Sequence, residues 1–140
     1  MTQYYNDMDN SEKLYNIIGA AMEVHNELHR GLTELVYQEA LECELSDRNI
    51  PYSREVKVPI MYKKHLLNKY YQLDFICYDD IIVELKAAET ITSDFRFQLF
   101  NYLRLTKKPC GLLINFGEER LHVERYRYDV EKNECFVFAK

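Results

Sequence analysis

No Cys-x-x-Cys pair occurs in the 140 residues; Cys43, Cys77, Cys110 and Cys135 are widely spaced. That spacing argues against a zinc or iron–sulfur site. Cys43, Cys77 and Cys110 each stand among apolar neighbours and read as small core residues. No apolar run is long enough to span a bilayer. The opening segment, MTQYYNDMDN, is polar and acidic, with no basic stretch leading into an apolar one. No secretory signal is therefore visible. A cytoplasmic location without a membrane partner is expected, and disulfides would be out of place there. Basic charge is also short, since the net charge is −5. A dedicated, tight nucleic-acid binder usually carries a basic field. A nuclease is not excluded, because an acidic metal site and a local basic patch can coexist. Basic residues do cluster locally: Lys63-Lys64-His65 with Lys69, Arg104 with Lys107-Lys108, and Arg120 with Arg125 and Arg127. Each cluster reads first as a solvated loop or helix end. Internal repeats and low-complexity segments are absent.

The length fits one domain. Residues 1–10 read as a loose, flexible tail and residues 11–140 as the domain. From Ser11 to about Leu28, Leu14, Ile17, Ile18, Ala21, Met22, His25 and Leu28 recur with helical period. Asp9 with Glu12 resembles a capping box built on Asp. Gly31 breaks this helix and a second begins near Thr33. Its expected buried side is Val36, Tyr37, Ala40, Leu41, Cys43 and Leu45. At about 100° per residue, Glu44 falls inside that arc and Glu34 and Glu39 at its margins. Periodicity does not choose among the three. Val56, Val58 and Ile60 then alternate with polar residues as a half-exposed strand, and Pro59 suggests an edge. Lys63 to Lys69 reads as a loop. A third helix runs from Asp94 to about Leu105, capped by Thr92 or Ser93. CGLLINF, from Cys110, is a buried strand. An outer strand from Leu121 to Tyr128 and a last apolar scrap, Cys135 to Phe138, follow. The order implies an α/β fold, a mixed sheet with helices on both faces. The unit from the strand at Glu84 through helix three to CGLLINF should be a parallel crossover.

The most informative stretch is LDFICYDDIIVELKAAE. Asp74 falls in one β-rich run, Glu84 and Lys86 in the next, and Tyr78-Asp79-Asp80 makes a polar turn between them. This reads as a hairpin. Alternation puts Ile82, Glu84 and Lys86 on one face and Ile81, Val83 and Leu85 on the other. Charged groups that are costly to bury alone are thereby brought together. Two carboxylates at a sheet surface can hold Mg²⁺, a hard cation that takes oxygen ligands. A lysine beside them can hydrogen-bond an attacking water or the charge that develops on phosphorus. The bland alternative is a cross-strand salt bridge of Lys86 with Glu84 or Asp74.

The chain resembles the PD-(D/E)XK nuclease superfamily and, within it, the GxxExxY proteins. The naming motif stands as Gly31-Leu32-Thr33-Glu34-Leu35-Val36-Tyr37. The resemblance runs on through YQEAL, LDF, IIVELKAAE, QLFNYLRLT and GLLINFG, covering roughly residues 14 to 127. It implies a three-layer α-β-α domain with the restriction-endonuclease-like core α-β-β-β-α-β. It implies Asp74 and Glu84 as metal ligands, with the Leu85 carbonyl as a third, and Lys86 as the catalytic lysine. It also implies a carboxylate from the preceding helix, Glu34 or Glu39, and a site-facing glutamine, Gln98, with Tyr102 one turn on. The pattern carries a histidine three residues before that glutamine; this chain has Phe95 there. The implied cofactor is Mg²⁺ or Mn²⁺. The implied partner is nucleic acid, DNA ahead of RNA, and size suggests a homodimer. The competing reading is a nuclease fold used as a catalytically silent module for nucleic-acid binding or protein assembly.

Overall fold

The architecture follows from one sheet whose strands lie side by side in chain order. A computed structural model describes residues 8–138. Its elements are α1 (Asn10–Leu28), α2 (Glu34–Asp47), β1 (Tyr52–Tyr62), β2 (His65–Cys77), β3 (Ile81–Lys86), α3 (Ser93–Thr106), β4 (Cys110–Asn115), β5 (His122–Asp129) and β6 (Glu134–Val137). Only β3 and β4 run parallel; every other neighbouring pair is antiparallel. The α/β class with a mixed sheet is as expected, and so is the parallel β3–α3–β4 crossover.

Strand alternation sorts β3 between two cores. Ile81, Val83 and Leu85 pack with Leu14, Ile17, Leu41 and Leu45 of α1 and α2. Ile82 packs on the other face with Leu99 and Leu103 of α3 and with Leu113. Helices therefore cover both faces. β3 and β4 at the sheet centre are buried almost throughout, which is why they read as continuous apolar runs. Among the described residues no helix is long and apolar enough to cross a membrane.

The start of α1 is fixed locally. The Asp9 carboxylate accepts the Glu12 amide proton at 2.8 Å, so Asp9 and Asn10 belong to the helix start rather than to a tail. Residues 1–7 of the expected tail lie outside the described residues. The α1–α2 joint explains the Gly31–Tyr37 spacing. Gly31 has φ of +106°, a conformation strained for any side chain. The Tyr37 hydroxyl donates to the His29 carbonyl and accepts from the Leu32 amide, and its ring stacks on Phe116 at 4.6 Å. The tyrosine thus locks the turn that the glycine permits, and α2 starts at Glu34.

Three expectations need correction. Residues 63 to 69 are not a loop, because β2 begins at His65 and only Lys63-Lys64 turn the chain. The strand has no clear alternation there because both of its faces are exposed. Val36 and Cys43 are exposed rather than inside, and Gln38 is buried in the α2 arc instead. Cys77 and Cys110 are core residues as expected. β1 is an edge strand, as Pro59 suggested, and its register against β2 shifts between Pro59 and Met61.

Candidate active site

The site lies where β2 and β3 stop pairing. Their ladder covers only Phe75–Cys77 against Ile81–Val83, and the next pair in that register is Asp74 with Glu84. The ten-residue spacing is thus a hairpin register. Tyr78 and Asp79 take φ of 54° and 63°, the left-handed conformation that tight hairpins need. At the Asp74–Glu84 pair, side chains replace the ladder. The Asp74 amide donates to Glu84 Oε2 at 2.8 Å, and the Leu85 amide donates to Asp74 Oδ2 at 2.8 Å. Two carboxylates are therefore clamped into one small volume by backbone donors.

Their electrostatics follow from burial. Glu84 is buried, and this lifts its carboxyl well above the ordinary range; the negative charge of Asp74 lifts it further. Burial also raises Asp74, against the opposing pull of the Leu85 amide and Lys86. Lys86 forms an ion pair with neither carboxylate. Its ammonium donates to Gln98 Oε1 at 3.3 Å and sits 4.7 Å from the centre of the Phe95 ring. The cross-strand salt bridge offered as the bland alternative is not formed. Phe95, the departure from the resembled pattern, is the seat of the lysine. Aromatic faces attract an ammonium by about 0.5–2 kcal/mol.

The helix glutamates separate. Burial raises the Glu34 carboxyl, which feels both Lys86 and Asp74. It stands at the first position of α2 with much of its surface open. Glu39 is exposed, and no contact brings it to Asp74, Glu84 or Lys86. Glu44 points away and pairs with Arg48 at 2.7 Å. The Leu85 side chain is buried in the core beneath the site. Tyr102 is buried on the Glu84 side of the sheet.

Two residues beyond those anticipated support the arrangement. Gln38 Nε2 donates to Asp74 Oδ1 at 3.1 Å, while its oxygen accepts from Arg54, which also binds Glu42 at 2.8 Å. The signal for it was its place one helical turn after Glu34, between Tyr37 and Leu41. Asn115 is fully buried and braces the loop that follows Lys86. Its oxygen accepts from the Ala88 and Gly117 amides at 3.0 and 3.1 Å, and its nitrogen donates to the Ala88 carbonyl at 2.9 Å. Gly117 leaves room for this, since a Cβ there would lie 2.2 Å from the Ala88 oxygen.

A buried Glu84, a half-buried Asp74 and a strand lysine thus meet at one end of the β2–β3 ladder. The sequence profile of the PD-(D/E)XK nuclease superfamily matches residues 11–128. The chain belongs to that superfamily. No curated protein and no solved structure matches the chain. Superfamily membership supports a nuclease-type, hydrolytic function, and PD-(D/E)XK nucleases generally use divalent metal ions. Among the described residues, no three His, Cys, Asp or Glu side chains converge as a ready metal cage. The donors nonetheless fit a magnesium-like ion. Mg²⁺ is usually held by one or two carboxylates and keeps several waters. Asp74 and Glu84 supply two mutually repelling carboxylates without a bound cationic side chain, which a divalent ion would neutralise.

Proposed function

We propose that this protein is a metal-dependent nuclease that hydrolyses phosphodiester bonds, in DNA ahead of RNA. Asp74 and Glu84 would hold Mg²⁺ or Mn²⁺, with the Leu85 carbonyl as a further oxygen donor. When bound, such an ion lowers the pKa of a water and polarises the phosphoryl oxygen. Lys86 positions the attacking water and offers its charge to the negative charge that grows on phosphorus. Phe95 and Gln98 hold that ammonium forward, out of an ion pair with the carboxylates. Glu34 orients a water or a second ion at the site mouth, and Gln38 keeps Asp74 in its rotamer. Glu39 contributes least to this reading. The Gly31–Tyr37 motif favours a place among the GxxExxY proteins, and cytoplasmic action, with a homodimer on duplex substrate, is consistent with size and composition.

One observation carries the reading: Lys86 stands beside the buried Glu84 and half-buried Asp74 carboxylates and is bound to neither. A structural ion pair would have closed that gap. Lys86→Ala should abolish Mn²⁺-dependent cleavage of a mixed-sequence DNA substrate, a fall of at least about a hundredfold. Unchanged cleavage would sink the assignment. A silent nuclease-fold module is the second reading, favoured by Phe95 where the resembled pattern has histidine. Calorimetric titration without Mg²⁺ or Mn²⁺ binding, together with DNA retained uncut in gel shifts, would select it.

A further inference from the structure

The β1–β2 hairpin extends well past the sheet. β2 pairs with β3 only over Phe75–Cys77, and the segment from His65 to Gln72 has β1 as its one strand partner. Every residue from Met61 to Gln72 is exposed. The result is a free two-stranded ribbon that ends at the Lys63-Lys64 turn. Its composition is unlike that of the rest of the chain. Between Glu55 and Asp74 there are four lysines, Lys57, Lys63, Lys64 and Lys69, and no Asp or Glu, so all 23 acidic residues lie elsewhere. All four lysines are exposed, and no salt bridge holds any of them among the described residues. Lys57 and Lys63 rest instead on the rings of Tyr70 and Tyr62, at 4.9 and 5.4 Å from the ring centres.

The ribbon is continuous with the site. Tyr71, at its root, packs edge-on against Tyr102 of α3 at 5.3 Å, and Asp74 follows three residues later on the same strand. At about 3.3 Å per residue, the ten residues from Asp74 back to Lys64 reach on the order of 30 Å. That is close to one turn of duplex, about 34 Å.

We propose that this ribbon is the arm that holds the phosphate backbone of duplex DNA while the Asp74–Glu84–Lys86 site acts on it. The proposal rests on the nuclease reading above. Lysines on an exposed ribbon give sequence-independent phosphate contacts, and tyrosines between them offer flat apolar faces to sugars and bases. The arm also resolves how a chain of net charge −5 approaches a polyanion: it concentrates cations on one projecting element. Lysines can equally serve to keep an edge strand from pairing with another copy, and the exposed Met61 and Leu66 make that the rival to test.

The test is fluorescence anisotropy on a labelled duplex of about two helical turns, using the full chain in a Lys86→Ala background so that substrate survives. Combined Lys63→Glu, Lys64→Glu and Lys69→Glu substitution should weaken binding at least about tenfold. It should make the slope of log affinity against log salt shallower by about 2.7, or about 0.9 for each phosphate that is no longer neutralised. The corresponding triple arginine variant should bind like the parent. In the unsubstituted chain, amine acetylation of Lys63, Lys64 and Lys69 should fall when duplex is added. This readout does not depend on how a variant folds. Equal labelling with and without DNA overturns the proposal. So does unchanged affinity accompanied by altered self-association in sedimentation, which would assign the ribbon to edge protection. If the unsubstituted chain cuts DNA while the glutamate variant binds it normally, only the arm falls. If the unsubstituted chain neither cuts nor binds, the arm and the nuclease reading fall together.

Discussion

Glu84 is kept buried beside Asp74 at a cost to the folded state. A carboxyl whose folded pKa lies above its unfolded value opposes folding once it ionises. That penalty is absent below the ordinary value of 4.5, grows as pH rises above it and is complete above the elevated folded value. Glu84→Gln removes the charge and keeps an oxygen to accept the Asp74 amide. In metal-free protein at neutral pH, this variant should melt a few degrees higher than the parent, as a gain on the order of 1 kcal/mol would give in a chain of this length. Thermal unfolding followed by circular dichroism checks it. A lower Tm would instead mark Glu84 as half of a stabilising ion pair, whose disruption costs roughly 3–5 kcal/mol. At this scale the sequence discloses much. Asp74, Glu84 and Lys86 follow from hairpin register and strand alternation, which are short-range rules. Gln38 does not, because its contact with Asp74 depends on how α2 lies against β2. Glu34 and Glu39 flank the same helical arc, and packing alone decides which flank meets the sheet.

Elements hold these residues in place. α3 carries Phe95 and Gln98 to Lys86, and it is strapped to β5 by Arg96. The Arg96 guanidinium donates twice to Glu124, at 2.7 and 2.8 Å, and Tyr126 and His122 also bind that carboxylate. The Arg96 hydrogen bonds come first among the causes that hold the Glu124 carboxyl down to about 2, against an ordinary 4.5. A depressed carboxyl contributes stability in full above its unfolded value and loses it as pH falls through the folded one. Acid titration of Tm should therefore show a loss between about pH 4.5 and pH 2 that Glu124→Gln lacks. The variant should also be less stable than the parent at neutral pH, by about 1 kcal/mol after allowance for solvent screening. Identical acid profiles would show that the strap adds nothing to stability. Element boundaries are legible in the sequence wherever at least one face is buried, as in α1, or both are, as in β3 and β4. The first residues of β2, up to Lys69, read as a loop because period-two patterning needs a buried face, and ahead of Leu73 this strand has none.

The whole molecule divides its charge by place. Acidic residues crowd the body, two of them forced together at the centre of the site, and an acid-free, lysine-bearing ribbon stands off one edge. Net charge alone therefore misleads about partners, since the composition averages over this division. The fold was legible because the order of elements, two helices, three strands, a helix and more strands, leaves few arrangements for a right-handed crossover. What composition and order could not supply is where the strands part, and that parting is what exposes Asp74 and Glu84 to each other. The central claim, that these two carboxylates form a divalent-metal site served by Lys86, is tested most directly by anomalous scattering from crystals soaked in Mn²⁺. One peak should bridge Asp74 and Glu84 and be absent in Asp74→Asn, with Lys86 still resting on Phe95 and Gln98. Saturated crystals with no peak there, and with Lys86 swung into an ion pair with Glu84, would contradict it.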